Sequence, residues 1–244
     1  MSLPTTLHKH NHSLSSPGAL IASFTALRLA QPLTQVGGGY ETDVFHSSDH
    51  GLALKLKQNS GGPAVMFAYA QRLRQVADHF RAYLGPEHSL PTVYVIVSGH
   101  SGKSHVLAMQ PFVENGRTLD SLDHTLLESE VRAALAEQLG TIVDRALACY
   151  RATGFLPDLY GLGPHDAVQA RRWDLRWMLS TAWRMLAGRP LLAAHNLLLT
   201  ADWRVVLVDY DPICAGWLSC RLAYAARALL LWRDRAYIAA LTHP

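Results

Sequence analysis

The chain has 244 residues, of which 49% are hydrophobic and 17% are charged, and its formal net charge is +3 at pH 7. This composition excludes a disordered or fibrous protein and supplies enough apolar residues for one large domain or two lobes. No apolar run reaches the ~18 residues that a membrane-spanning helix needs, so no membrane span is predicted. The charge excess is mild and no basic stripe with interleaved aromatic residues stands out, so no nucleic-acid partner is predicted.

The three cysteines, Cys149, Cys214 and Cys220, form no C-x-x-C pair. A sparse, odd set argues against a disulfide framework or a structural zinc site and favours a reducing compartment. The N-terminus lacks the pattern of a secretory signal, so we expect a cytoplasmic protein. Residues 1–17 are polar and rich in Ser and His, which predicts a mobile N-terminal arm. Such an arm is also compatible with the export signal of a secreted bacterial effector.

The first half of the chain predicts a small antiparallel sheet and one long helix. Residues 18–31 predict a short helix, and apolar side chains at helical spacing predict a long helix over 64–84. Five short segments bounded by turn residues predict strands, at 33–36, 43–46, 52–57, 91–97 and 105–109. Together these elements form a predicted N-terminal lobe over residues 18–110.

The second half is mainly helical, and residues 110–119 predict an extended crossover into it. Helical periodicity predicts three helices, over 129–153, 165–187 and 216–241. A strand pair, 196–199 and 204–209, lies between the last two. The predicted second lobe covers residues 111–244, and the predicted fold class is α+β.

Gly37, Gly38 and Gly39 lie between two predicted strands and begin a turn whose exposed N–H groups could hold phosphate oxygens. Lys55 lies one strand later, where its ammonium group could contact the same phosphates. Each feature also has a simpler interpretation. A triple-glycine turn is a common hairpin connection, and a strand lysine is usually solvated; Lys57 shares the face of Lys55.

Asp209 directly follows the buried strand 205–208, and Asn196 begins the strand that pairs with it. Carboxylate and amide oxygens are ligands that Mg²⁺ accepts, so these two residues are candidate metal ligands. In the simpler interpretation both side chains only bond to nearby backbone in turns.

The order of these motifs resembles the protein-kinase-like superfamily, which includes the aminoglycoside-phosphotransferase-like small-molecule kinases of bacteria. Gly37, Gly39 and Val44 fit the pattern G-x-G-x-x-G-x-V, with Thr42 in place of the third glycine. Residues 52–55 (LALK) fit V-A-I-K, and residues 209–211 (DYD) are similar to the D-F-D of small-molecule phosphotransferases. The resemblance covers about residues 33–212. It implies a two-lobed fold with a small antiparallel-sheet N-lobe and a reduced, mainly helical C-lobe.

The resemblance also implies ATP and Mg²⁺ as cofactors and a reaction that moves the γ-phosphoryl group to a hydroxyl acceptor on a protein or small molecule. Residues 109–114 fall where the segment that meets adenine would run. Asn196 and Asp209 would hold the metal, and Lys55 would also act in catalysis. The implied nucleotide-binding residues are Gly37, Gly38, Gly39, Thr42, Val44, Lys55 and Met109.

The catalytic loop departs from the family pattern. The family places its catalytic aspartate five residues before the metal-binding asparagine, but Leu191 holds that position here. Residues 156–159 (LPDL) follow the helix that ends near Gly154, so Asp158 is the predicted base. This assignment requires an insertion over about 160–194, and it leaves Asp166 inside that insertion as a rival.

Two further departures keep alternatives open. The helix 64–84 lacks the glutamate that normally pairs with the kinase lysine, and only Gln71, Gln75 and Asp78 could replace it. About 32 residues follow Asp211, too few for a full kinase C-lobe. One alternative is a pseudokinase that binds nucleotide weakly or serves as a scaffold. The other is a two-lobed α+β binding protein in which the motifs are only hairpin turns.

Overall fold

The computed structural model describes residues 21–23, 33–38, 42–98, 103–123, 126–160, 191, 194–210 and 217–241. Several predictions lie outside these residues, wholly or for the most part: the N-terminal arm, the helix at 165–187, most of the helix at 18–31, most of the insertion at 160–194, the turn residue Gly39, the rival base Asp166 and Asp211 of the DYD motif. We number the described helices and strands in chain order.

Six strands form one twisted sheet in the first part of the chain. Their order is β1-β5-β6-β4-β3-β2, and all neighbours are antiparallel except β1 and β5. The five predicted strands are confirmed, with β4 and β6 longer than expected. The strands are β1 (Ile21–Ser23), β2 (Thr34–Gly38), β3 (Thr42–Ser47), β4 (Leu52–Gly61), β5 (Val93–Ser98) and β6 (Ser104–Pro111).

The predicted helix over 18–31 is wrong for Ile21–Ser23, which form strand β1. Its backbone pairs in parallel with Ile96–Ser98 at the edge of the sheet. A helix of about a dozen residues is marginal by itself, because few hydrogen bonds offset the cost of starting it. An open strand edge offers backbone partners that the local sequence does not reveal.

Alternation along β4 gives this sheet two distinct faces. Leu52 and Leu54 lie in an apolar core on one face, whereas Ala53, Lys55 and Lys57 point to the other. The buried core on the first face comprises Leu52, Leu54, Val95, Val97, Leu107 and Met109.

Helix α1 (Pro63–Leu84) confirms the predicted helix at 64–84. Proline suits the first helical position, where its missing N–H would have no partner. Gly85 ends the helix with a φ of 79°, and its N–H donates to the Arg81 carbonyl at 2.9 Å. The buried stripe of α1 follows helical spacing and comprises Met66, Ala70, Leu73, Val76, Ala77, Phe80 and Leu84.

The second part of the chain consists of two long helices and a three-stranded antiparallel sheet in the order β7-β8-β9. Helix α2 packs on α3 and on β9. Gly154 ends α2 in the left-handed conformation, φ 75°, with its N–H bonded to the Tyr150 carbonyl. The elements are β7 (Arg117–Thr118), α2 (Ser129–Thr153), β8 (Leu197–Leu199), β9 (Val205–Leu207) and α3 (Trp217–Ala240), with a 3-10 turn at Leu119–Ser121. The predicted helices at 129–153 and 216–241 and the strand pair are confirmed.

The chain divides into two compact units, and the α+β class with an antiparallel sheet followed by a mainly helical part is confirmed. The first unit comprises Met1–Gln75 and Pro91–Phe112, and the second comprises Val76–Leu90 and Val113–Pro244. Residues 76–90 belong to the second unit because hydrogen bonds tie them to β9. The Leu207 N–H donates to the His88 carbonyl at 2.9 Å, and His88 Nδ1 lies 2.9 Å from the Val205 carbonyl. Within the described residues, no helix combines the length and the hydropathy required to cross a bilayer.

Candidate functional site

The sheet of the first unit brings three predicted nucleotide-binding residues to one face. Lys55 on β4 lies directly opposite Val44 on β3, and Thr42 lies opposite Lys57 in the same pair of strands. Residues that pair directly in an antiparallel sheet point to the same side. Val44, Lys55 and Thr42 therefore share a face, with Lys55 half-buried.

Lys57 is a second cation on this face, and it received no role in the sequence analysis. It is only 3% exposed, and its Nζ donates to Thr42 Oγ1 at 3.2 Å. Burial of an ammonium group is costly unless polar partners surround it. A strand lysine is usually solvated, but Lys57 is not. The alternating pattern of this strand indicated that Lys57 lies on the same face as Lys55, and it was the only signal of Lys57 in the sequence.

The glycine turn is described only at its base. Gly37 pairs with Val44 and Gly38 with Asp43, and the register of β2 shifts between Gln35 and Gly37. The glycines thus precede the turn into β3, as the motif requires. The tip of the turn lies outside the described residues.

Met109 is not brought together with these residues. It lies inside β6, directly opposite Leu54, and its side chain belongs to the apolar core on the other face of the sheet. This position in the core explains why residue 109 is apolar, and no bound ligand is needed to explain it. Gln71, Gln75 and Asp78, the predicted substitutes for the missing glutamate, are exposed on α1.

The second unit brings Asp158, Asn196 and Asp209 to one end of the β8–β9 hairpin. The Asn196 side chain donates from Nδ2 to the Asp158 carbonyl at 2.8 Å. The Asn196 carbonyl accepts from the Val208 N–H at 3.0 Å, directly before Asp209. Asp158 and Asn196 are 38 residues apart in sequence, so only the fold joins them.

The carboxylate of Asp158 lies in a buried ion pair. Its Oδ1 is 2.6 Å from Nη1 of Arg227 on α3, and the two side chains are 8% and 2% exposed. Arg227 was not predicted to have a role, since a single arginine on a long helix gives no sequence signal. The pair fixes the loop after α2 and neutralises the residue predicted to be the base.

A buried carboxylate on α3 holds both ends of the segment predicted as an insertion. Asp234 Oδ2 accepts from the Tyr160 hydroxyl and from the Leu191 N–H, each at 2.8 Å. Burial and the charge of Asp234 raise the pKa of the Tyr160 phenol. Because the chain returns at Leu191 to the point it left at Tyr160, Asn196 can reach Asp158.

Tyr210 anchors the chain beside Asp209. Its hydroxyl accepts from the Leu90 N–H at 2.5 Å and lies 3.1 Å from the carbonyl of Leu207. Burial raises the pKa of this phenol. The central residue of the DYD motif thus fixes the backbone that carries Asp209, whose side chain is half-buried.

The side-chain oxygens at this end of the hairpin are suitable ligands for a hard divalent cation. Because Nδ2 of Asn196 is bonded to the Asp158 carbonyl, Oδ1 is the amide atom that could bind a cation, and the Asp209 carboxylate is the second candidate ligand. Mg²⁺ commonly uses one or two protein oxygens and takes its other ligands from phosphate and water. In the part of the chain that the structure describes, no three His, Cys, Asp or Glu side chains group as a metal site.

No protein-family model and no curated protein matches the sequence. Among solved structures, the chain is similar to APH(2")-IIia in its complex with GDP and kanamycin, with a TM-score of 0.44, 11% identity, and coverage of 86% of this chain and 77% of that chain. It is also similar to the pseudokinase DRIK1 (drought responsive inactive kinase 1) bound to ENMD-2076, with a TM-score of 0.40, 7% identity, and coverage of 91% and 89%. At these TM-scores neither likeness says what this chain binds or does.

Proposed function

We propose that the protein is a phosphotransferase that binds ATP with Mg²⁺ and moves the γ-phosphoryl group to a hydroxyl on a protein or small molecule. The observation that supports this most is the hydrogen bond from the Asn196 side chain to the Asp158 carbonyl, at the end of the hairpin where Asn196 also bonds to Val208, the residue before Asp209. These three residues match the base and the two metal ligands of the kinase-like pattern, and local sequence does not explain their approach.

Each part of the proposed chemistry falls to named residues. Lys55, with the turn that begins at Gly37, binds the phosphates, and the buried ammonium of Lys57 adds positive charge to the same face. Asn196 and Asp209 would hold Mg²⁺, which when bound neutralises charge on the β- and γ-phosphates. Positioning and electrostatics supply most of the catalysis in phosphoryl transfer, so these residues matter more than a base.

Asp158 has a double role in this proposal. Its carbonyl orients the Asn196 amide, and its carboxylate orients the acceptor hydroxyl while it is paired with Arg227. A carboxylate paired with a guanidinium is a weak base, so we expect slow turnover.

The same ion pair supports a second candidate, a pseudokinase that binds nucleotide without transfer. In that case the Asp158–Arg227 pair serves only to hold the loop. The absence of a glutamate from the sequence of α1 also favours this candidate, because active kinases use such a glutamate to position the nucleotide-binding lysine.

A thermal-melt titration with ATP, with and without Mg²⁺, tests both candidates. At a concentration of about 100 times Kd, the nucleotide should raise the free energy of unfolding by about 2.7 kcal/mol. For a chain of this length, Tm should then rise by several degrees. We expect Asp209→Ala and Lys55→Ala to lose the Mg²⁺-dependent shift. The exposed residues Asp144 and Lys103 provide matched controls, and Asp144→Ala and Lys103→Ala should keep it.

Phosphate release from ATP then separates the candidates. A phosphotransferase releases phosphate slowly without its acceptor, and Asp158→Asn should lower that rate about tenfold or more. A Mg²⁺-dependent shift without release in the wild type would assign the pseudokinase. No shift at any ATP concentration would overturn both nucleotide-binding candidates and leave either a scaffolding pseudokinase or the two-lobed α+β binding protein.

A further inference from the structure

A pocket of about 290 Å³ lies at the turn of the β8–β9 hairpin, inside the second unit. Asn196 and Asp209 lie beyond the other end of the same strands. Four residues separate Asn196 from Thr200, roughly 13 Å at about 3.3 Å per residue. The pocket is therefore separate from the residues proposed for phosphoryl transfer. Its lining includes Asn115, Arg117, Leu122, Leu127, Leu199 and Trp203.

Two residues in an unusual backbone conformation line this pocket. Among the described residues, Asn115 and Trp203 are the non-glycine positions with positive φ, at 55° and 61°. Asparagine tolerates this conformation, but a bulky aromatic residue adopts it rarely. Such strain persists only where the surroundings hold it, and it concentrates at functional sites.

Helix α2 holds Trp203 in place. Gln138 donates from Nε2 to the Trp203 carbonyl at 2.8 Å, and its Oε1 accepts from the Val205 N–H at 2.9 Å. The Trp203 N–H donates to the Thr200 carbonyl at 3.0 Å. Glycine would adopt this conformation without strain. Trp203 is nonetheless 47% exposed, so about half of its surface is in contact with solvent and does not pack in the core.

The polar groups of the pocket are cationic or neutral. Arg117 is exposed, and neither its guanidinium nor the amide of Asn115 forms a hydrogen bond or ion pair with any residue that the structure describes. No aspartate or glutamate lines the pocket. An unpaired guanidinium beside an exposed indole offers one site for an anion and one for a flat apolar group.

We propose that this pocket binds a small planar carboxylate of the aromatic-acid class. The fork of Arg117 matches the two oxygens of a carboxylate, and the face of Trp203 stacks on a ring. Leucines complete the apolar wall. The volume is just below the usual range of about 300–1,000 Å³ for ligand sites, which suits a ligand of one or two fused rings.

The test uses the full chain labelled with 5-fluorotryptophan and 2-naphthoate as the probe. The chain has six tryptophans. The ¹⁹F signal that disappears in Trp203→Phe identifies this position. We expect that signal alone to shift saturably with naphthoate, and Arg117→Gln to weaken binding about tenfold or more through the lost charge-assisted contact. Because Arg117 is exposed, Arg117→Gln should melt at the wild-type temperature.

Two control ligands make the test specific. The neutral 2-naphthamide should bind at least about tenfold more weakly, because it lacks the charge. Inorganic phosphate should not displace naphthoate, because it lacks the ring. The proposal is overturned if no saturable shift occurs at about 10 mM naphthoate. It is also overturned if Arg117→Gln binds naphthoate as tightly as the wild type does, or if naphthamide binds as tightly as naphthoate. Competition by phosphate, or a common shift of all tryptophan signals, would overturn it too.

Discussion

Two aspartate–arginine pairs of the second unit have nearly the same length and opposite surroundings. Asp158 and Arg227 are 2.6 Å apart and 8% and 2% exposed, whereas Asp202 and Arg204 are 2.7 Å apart and 61% and 54% exposed. Water screens the exposed pair, and either partner is well solvated if the other is removed. In the buried pair, loss of one partner leaves a charge without water or counterion. Distance alone therefore does not rank the two pairs, but solvent access does.

The largest expected effect follows from removal of Arg227. Arg227→Met should lower the free energy of unfolding by about 3–5 kcal/mol, since the Asp158 charge stays buried and unpaired. At roughly 2–4 °C per kcal/mol for a chain of this size, Tm should fall by about 10 °C. Thermal and urea unfolding measure this. Asp158→Asn combined with Arg227→Met should recover much of the loss. A single variant within about 1 kcal/mol of wild type would contradict the ranking.

A smaller effect is expected where the buried carboxylate of Asp234 loses one of its donors. Tyr160→Phe removes the 2.8 Å hydroxyl contact and leaves the Leu191 N–H in place. Hydrogen bonds to charged groups contribute about 1.5–3 kcal/mol, so unfolding should become easier by that amount. Tyr237→Phe at an exposed position of α3 is the control and should change nothing. Equal urea midpoints for the two variants would show that Asp234 does not need the phenol.

The hairpin turn should depend on Gln138 to a lesser degree. Gln138→Ala removes one donor from Trp203 and one acceptor from Val205, contacts that lie near the surface. Two neutral hydrogen bonds partly replaced by water predict a loss of about 1–2 kcal/mol. The exposed neighbour Glu137 provides the control Glu137→Ala. The ¹⁹F signal of Trp203 should shift in Gln138→Ala, and an unchanged signal would mean that the turn keeps its own conformation.

The smallest effect belongs to the exposed pair. Arg204→Met should leave Tm unchanged within error, in contrast to Arg227→Met. The Thr200 hydroxyl, and then the Arg204 guanidinium, hold the pKa of Asp202 below its ordinary value. Because the pKa of Asp202 is lower in the folded than in the unfolded state, its carboxylate stabilises the turn fully above about pH 4. This contribution should decrease progressively as the pH falls below about 4. The Trp203 signal should respond there in wild type but not in Asp202→Asn. A response near pH 6 would implicate another group.

The sequence predicted helices best where the apolar periodicity extends over many residues, and strands best where a short turn joins them. Helix α2 begins and ends where the apolar period and Gly154 indicate, because a helix depends on neighbours three and four residues away. Lys55 and Val44 share a face for the same reason, since short hairpins fix their register. The predicted helix at 18–31 fails at Ile21–Ser23, where a distant strand edge supplies the backbone partners.

The residues of the candidate site could be predicted from the sequence, but their contacts and orientations were less predictable. The motif order singled out Asp158, Asn196 and Asp209; in the second unit a hydrogen bond joins Asn196 to Asp158, and another joins Asn196 to Val208, the residue before Asp209. It also singled out Met109, whose side chain the strand register turns into the core. The apolar pattern predicted a strand that ends at Met109, whereas β6 continues to Pro111, and its register with β4 decides which face the Met109 side chain takes.

What the sequence by itself determined is therefore local: the α+β class, the long helices, the hairpins and the residue types able to hold phosphate and a cation. Burial and pairing were decided by tertiary structure. Only the fold sets Arg227 against Asp158, buries Lys57 beside Thr42, and exposes the strained Trp203 at a pocket. The physical reason is that propensity and periodicity act over a few residues, whereas the energy of a charge depends on whatever distant groups exclude water from it.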